Sequence, residues 1–334
     1  MRTRVNRWAK PIASIGIMLL LLATAAPAQV LFSSDMDTNE GWMISISEDI
    51  DWEFGWDFTQ MGIPPSPGGS TTGLMMKANL SYGWGNAYVM AYPTWALSEL
   101  TGQYTVEFDF WINVNGPFPG GGAGSTEFIG GCVGMSDSWV TWPDVPFGAS
   151  LLIDGEGGDV ADWRLYKEYQ VQWLGSFEYD IDDWDVGPSG SLDLATWFPG
   201  HEPPAYQQAN YSQQTGAVYD GSGGFAWHHM IITVDTEAIG AGPNTDPGLA
   251  NFCVDGLSIG TIDNSIIGPD QFPVCMSWGA GVMYVDLYPS ISDNPDLSFG
   301  VVDNFVVRRI VIPDFTEDSI PVGPRPHLDE TPFP

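Results

Sequence analysis

The chain has 334 residues, 42 of them Asp or Glu against ten Lys or Arg, for a formal net charge of −32. Four of the ten bases (Arg2, Arg4, Arg7 and Lys10) fall in the first 28 residues, which hold no acid, so the rest of the chain sets six basic side chains against all 42 acids. Such a surface repels nucleic acid and anionic lipid, whose binding needs clustered Lys and Arg. It suits neutral ligands, cationic partners or divalent cations held by carboxylates.

The first 28 residues read as a secretory signal. A positive stretch (Met1 to Lys10) precedes an apolar run from Ile12 to Ala26, and Ala26-Pro27-Ala28 is a small-x-small cleavage site. The dense apolar part, Ile15 to Ala23, is shorter than the about 20 residues that a membrane span needs. The expected organisation is a signal peptide over 1–28, one β-sandwich domain over 29–311 and a Pro-rich extended tail over 312–334. The expected location is extracellular or at the cell surface, with no membrane insertion after cleavage.

Across the whole chain, 40 Gly and 26 Pro beside 15 Trp, 17 Phe and 12 Tyr point to many strands joined by tight turns. The segments with strand character are Leu74 to Leu80, Tyr88 to Tyr92, Tyr104 to Asn115, Phe128 to Met135 and Ala149 to Ile153. They continue with His228 to Val234, Asn251 to Val254, Val274 to Trp278, Gly281 to Tyr288 and Gly300 to Ile310. In the clearest of them Thr105, Glu107 and Asp109 alternate with Val106, Phe108 and Phe110, so one face is buried. Turn clusters such as Pro64 to Gly73 and Gly116 to Ser125 separate them. The fold class expected is all-β, two antiparallel sheets packed face to face. Helical signals are scarce, and the best candidate, around Asp162 to Tyr169, is too short to carry a fold. Asp137 to Gly224 is weakly periodic: loops and short strands building one face of the sandwich, or an inserted subdomain. The lack of linker composition at its ends favours the former.

Cys132, Cys253 and Cys275 permit one bridge and one free thiol in an oxidising compartment. Cys253 with Cys275 is the favoured pair, since both lie in strand-like segments; a buried, unpaired trio is the alternative. Their wide spacing argues against a metal site.

Leu31-Phe-Ser-Ser-Asp-Met-Asp-Thr-Asn-Glu-Gly-Trp42 near the start and Gly300-Val-Val-Asp-Asn-Phe-Val-Val-Arg308 near the end, with Trp227-His-His-Met-Ile-Ile-Thr-Val-Asp235 and Val254-Asp-Gly-Leu257 between, carry a resemblance. Together they resemble concanavalin A-like (laminin G or LamG-like) jelly-roll domains and related carbohydrate-binding modules. The regions Asn115 to Phe128 and Phe54 to Leu80 also look like secreted proteins of Planctomycetes-type bacteria, a likeness that implies no activity. The jelly-roll resemblance implies that the first and last strands are neighbours in one sheet. The stretch from Asp137 to Gly224 departs from a minimal LamG domain.

That neighbourhood would bring Asp35, Asp37 and Glu40 close to Asp303, and hard oxygen ligands from two remote segments suit a structural Ca²⁺. The alternative is a solvated acidic turn. A second constellation, Phe177-Glu-Tyr-Asp-Ile-Asp-Asp183, echoes the acidic strand of laminarinase-like glycoside hydrolases, with Glu178, Asp180 and Asp183 as catalytic candidates. Asp in place of the final Glu shortens the reach of the acid/base group, which favours a solvated strand face. His201, His228, His229 and His327 follow no H-E-x-x-H pattern, and adjacent His228 and His229 point to opposite faces of a strand. A third constellation is aromatic. Trp139, Trp142, Trp163, Trp173, Trp184 and Trp197 crowd one stretch with Asp and Gln between them, as a site for stacking neutral sugar rings would. Each alone has a core role as its ordinary explanation.

The sequence thus favours a secreted, calcium-stabilised, non-catalytic jelly roll that binds a neutral glycan or a cell-surface component. One alternative is a laminarinase-like glycoside hydrolase acting on neutral polysaccharide. The other is a purely structural or adhesive extracellular protein.

Overall fold

The computed structural model describes residues 28–81, 86–94, 100–119, 126–134, 148–158, 162–167, 170–174, 194–266, 273–277, 279–287 and 294–310. Their strands are β1 (Gln29–Ser34), β2 (Trp42–Ile46), β3 (Ile50–Asp57), β4 (Thr72–Ala78), β5 (Asn86–Pro93), β6 (Gln103–Asn113), β7 (Thr126–Val133) and β8 (Ala149–Asp154). They continue with β9 (Trp163–Lys167), β10 (Gln170–Leu174), β11 (Trp227–Asp235), β12 (Leu249–Val254), β13 (Leu257–Asp263), β14 (Ala280–Leu287) and β15 (Phe299–Arg309). Two short helices, α1 (Leu194–Trp197) and α2 (Ala205–Asn210), lie between β10 and β11.

The strands form two antiparallel sheets. Sheet A runs β13-β12-β11-β6-β15-β4-β3, with β1 also paired to β15; sheet B runs β10-β9-β8-β7-β14-β5-β2. β1 at the start of the domain lies against β15 at its end, the neighbourhood that the jelly-roll resemblance implies. The architecture is an antiparallel jelly-roll β-sandwich.

Alternation sets the layers. Val106, Phe108 and Phe110 of β6 and Met230, Ile232 and Val234 of β11 point inward to meet Ile129 of β7, Leu151 and Ile153 of β8, and Val282 and Tyr284 of β14. Each such fully buried Phe, Ile or Leu contributes about 1.5–3 kcal/mol by removal from water. Sheet B is buried on its outward face as well, where Tyr88, Met90, Phe128, Leu152, Tyr166, Met283 and Val285 cluster. Hence β8 and β14 are buried along their whole length, without the half-buried alternation of β11. The outward face of sheet A keeps Thr105, Glu107, His229, Ile231 and Thr233 at least partly in contact with solvent.

Several expectations are corrected. Asp162 to Tyr169 is not helical over its described part: 163–167 is β9, whose Trp163 and Leu165 enter the core while Arg164 and Tyr166 turn outward. Pairing with β8 decides its conformation over local propensity. Val274 to Trp278 is not a strand over its described part, because the Asn264 side chain takes the place of a partner strand. Its Oδ1 accepts from Val274 N at 2.9 Å and its Nδ2 donates to Val274 O at 2.8 Å. The three thiols are free, Cys132 buried and Cys275 exposed; the Sγ of Cys253 donates to Asn251 Oδ1, so the favoured Cys253–Cys275 bridge is absent. The described parts of Asp137 to Gly224 include β8, β9 and β10, which extend sheet B from β7 and so build one face of the sandwich.

Candidate functional site

The turn from Asp35 to Glu40 is fixed from below. Met36 takes a positive φ of 60° and is completely buried. Its amide is held by Ser34 Oγ at 3.1 Å, and the same hydroxyl accepts from the Trp42 indole at 3.2 Å. On the other side Gly55 N donates to Met36 O at 2.9 Å. A Cβ at Gly55, whose φ is +71°, would lie 2.7 Å from Asp37 O, so the turn can settle on β3 only over a glycine.

The turn stands between two open grooves on sheet A. One, of roughly 480 Å³, is lined by Ser33, Asp35, Thr38, Glu40, Asn304 and Val306, with Phe32 and Ser34 completing it. The other, of roughly 400 Å³, is lined by Asp37, Thr38, Asn39, Trp52, Glu53 and Phe54. Neither wall contains a basic residue.

Asn304 joins the first groove to a buried polar network. It sits in a β-bulge: Asp303 faces Asp109 and Val306 faces Glu107, so Asn304 and Phe305 together oppose one residue of β6. With a φ of 55°, Asn304 turns its amide onto β6, where Nδ2 donates to Asp109 Oδ2 at 2.7 Å. The other oxygen of Asp109 accepts from His229 Nδ1 at 2.7 Å. Asp109 is only 4% exposed, so both donors compensate a buried charge. Beside it Ser66 Oγ donates to Asp303 Oδ2 at 2.6 Å, and Arg308 Nε donates to Glu107 Oε2 at 3.3 Å.

These contacts set the titration behaviour. The hydrogen bond to Asp109 raises the His229 pKa above the ordinary imidazole value; partial burial opposes this, and the charges of Asp109, Glu107 and Asp255 add to it. Burial raises the Asp303 carboxyl against the donors Ser66 and Asn304 N, and the nearby charges of Asp109 and Asp37 raise it further. On the opposite face of β11, His228 Nδ1 meets Asp255 Oδ2 at 2.7 Å. Burial alone would raise Asp255, but its bonds to the His228 ring and the His229 amide hold it below the usual carboxylate value. The two adjacent histidines therefore do face opposite ways, each with its own aspartate.

The sequence-derived site residues fall apart into groups. Asp35 and Glu40 line the first groove, Asp37 the second, and Asp303 is buried beneath them with its oxygens on Ser66 and Asn304 N. Among the described residues no three His, Cys, Asp or Glu side chains are grouped closely enough to hold an ion. Asp35 and Glu40 thus stand apart from Asp37 and from the buried Asp303. Trp163 is corrected from ligand-binding to core: it is wholly buried, tilted against Phe198 at 4.8 Å, and its indole donates to Gly221 O at 2.7 Å. Trp197 is 58% exposed. Trp139, Trp142, Trp184, Glu178, Asp180 and Asp183, and the side chain of Trp173, lie outside the described residues. Sequence reasoning missed the Asn304–Asp109–His229 network. Its only trace was the alternation of Glu107 and Asp109, because the bulge that swings Asn304 outward has no local signature.

No protein-family model matches the chain, and no curated protein matches it in sequence. Among solved structures it is similar to an endo-1,3-beta-glucanase from Streptomyces sioyaensis, at 14% identity over 87% of this chain and 100% of the other, with a TM-score of 0.41. A structure described under endo-acting O-glycanases of the human gut microbiota that initiate mucin breakdown matches at 12% identity over 85% and 100%, with a TM-score of 0.40. The carbohydrate recognition domain of Emp46p matches at 8% identity over 86% and 97%, with a TM-score of 0.38. The sandwich assignment of this chain rests on its own strand pairing.

Proposed function

We propose that the protein is an exported, non-catalytic β-sandwich that binds a neutral glycan in the paired grooves flanking the turn from Asp35 to Glu40. The observation that carries this reading is the groove of roughly 480 Å³ whose walls offer hydroxyls (Ser33, Ser34, Thr38), carboxylates (Asp35, Glu40) and an amide (Asn304). These groups accept from and donate to sugar hydroxyls, while Trp52 and Phe54 in the adjoining groove offer partly exposed ring faces for C–H stacking. The absence of basic groups from both walls disfavours an anionic saccharide.

The test is retention of the secreted protein on insoluble neutral polysaccharides and on a glycan array. Retention that falls at least tenfold in Glu40→Gln and in Trp52→Ala supports the reading. No retention on any neutral glycan, or retention indifferent to both changes, overturns it. Release of reducing sugar in the same assay, lost in Glu178→Gln, replaces binding by hydrolysis.

A further inference from the structure

The two grooves beside the turn from Asp35 to Glu40 repeat one another. Asp35, Glu40 and the ring of Phe32 line the first; Asp37, Glu53 and the rings of Trp52 and Phe54 line the second. Each thus offers two carboxylates and an aromatic face, and all three rings are partly exposed. Thr38 is exposed and lines both, so it forms the ridge where one groove adjoins the other. A site for a single terminal sugar encloses its ligand. Here each groove opens beside a second of like chemistry and similar volume.

The spacing between the grooves is fixed. Phe32 meets Trp42 at 5.5 Å between ring centroids, Trp42 meets Phe54 at 6.1 Å, and Phe54 meets Trp52 at 6.0 Å. Trp42 is buried, and its indole donates to the same Ser34 hydroxyl that holds the Met36 amide. This row of rings therefore runs under the turn and joins the floor of one groove to the floor of the other. The ridge is tied down from both sides, by Ser34 of β1 at 3.1 Å and by Gly55 N of β3, which donates to Met36 O at 2.9 Å. A ligand that enters both grooves meets a surface that needs no ordering, so the entropy cost of binding falls on the ligand.

We propose that the two grooves form one binding track for a linear, neutral polysaccharide, which crosses the Thr38 ridge and is read along its internal units instead of at its end. The track rests on the glycan reading above. Repeated chemistry in the protein answers repeated units in the ligand. Hydroxyls of one sugar donate to Asp35 and Glu40 and those of a later one to Asp37 and Glu53, while ring faces stack on Phe32 and then on Trp52. The four carboxylates, with no basic group in either wall, repel a chain that carries uronate or sulfate. Once one groove is filled, the next units are held beside the other at high effective concentration. A chain that reaches both should gain about 100-fold or more over one that fills a single groove.

The experiment titrates the full chain by calorimetry with linear gluco-, manno- and xylo-oligosaccharides, from the monosaccharide to the octasaccharide, and with polygalacturonate as the anionic probe. In the series that binds, affinity should rise about 100-fold from the shortest member to the longest, and polygalacturonate should give no binding. Glu40→Gln should weaken short and long ligands alike. Trp52→Ala should leave the short ones unchanged and abolish the gain with length. The exposed pair Asp37→Asn/Glu53→Gln should cut that gain at least tenfold, and it decides if Trp52→Ala does not fold. Affinity independent of length, or a gain that survives both changes in the second groove, overturns the track and leaves the glycan reading standing. Polygalacturonate bound as tightly as the longest neutral chain overturns the neutral class. Binding by none of the three series overturns the track and the glycan reading together.

Discussion

Replacing Asn304 by Ala tests the network beneath the groove. The change removes the amide that donates to Asp109 Oδ2 at 2.7 Å, and Asp109 is too buried for water to replace it. A hydrogen bond to a charged group contributes about 1.5–3 kcal/mol. Asn304 also holds a φ of 55°, where a residue with a Cβ and no local side-chain hydrogen bond loses about 1–2 kcal/mol. Asn304→Ala should therefore cost about 2.5–5 kcal/mol, or a fall in Tm of about 5–20 °C for a domain of this size. Asn304→Gly tolerates the backbone angle and loses only the amide, at about 1.5–3 kcal/mol. Urea unfolding followed by tryptophan fluorescence gives both values from the midpoint shift at constant slope. If both variants unfold within about 0.5 kcal/mol of the parent, Asp109 does not depend on Asn304. If Ala and Gly unfold together, the positive φ carries no strain, and that half of the reasoning fails.

Two further outcomes are expected. Because the His229 pKa is raised in the folded state, its contribution is complete below the unfolded value of about 6.5 and is lost as pH rises through the folded one. Tm measured from pH 5 to 9 should thus fall more in the parent than in His229→Gln, and parallel curves would show that the pair with Asp109 is not linked to folding. Trp163→Ala should cost about 3–5 kcal/mol by leaving a core cavity, whereas Trp197→Ala should stay within about 0.5 kcal/mol by chemical denaturation. Equal costs would contradict the assignment of one ring to the core and the other to solvent.

The strands written as plain alternation were legible. Val106, Phe108 and Phe110 against Thr105, Glu107 and Asp109 can satisfy only a half-buried strand, and the observed β6 spans Gln103–Asn113. The opposite orientations of His228 and His229 follow from the same period of two. β9 was not legible, since both of its faces are buried and nothing in Trp163–Lys167 distinguishes a doubly covered strand from a short helix. Only pairing with β8 and β10 decides it.

Charge and composition, which add up residue by residue, determined that this is an acidic chain of many strands. The resemblance of the short end motifs to jelly-roll domains implied that the first and last strands are neighbours, and β1 does pair with β15. The tertiary structure alone decided what the acids do. It put Asp35 and Glu40 in an open groove, where water screens them, and Asp303 and Asp109 beneath it, where donors compensate them. It put Asp154 out of reach of water, with its Oδ2 on the Glu156 and Gly157 amides. The physical reason is that a carboxylate's role depends on its burial and on the donors aimed at it. Those are set by bulges, turns and crossings between strands far apart in the chain.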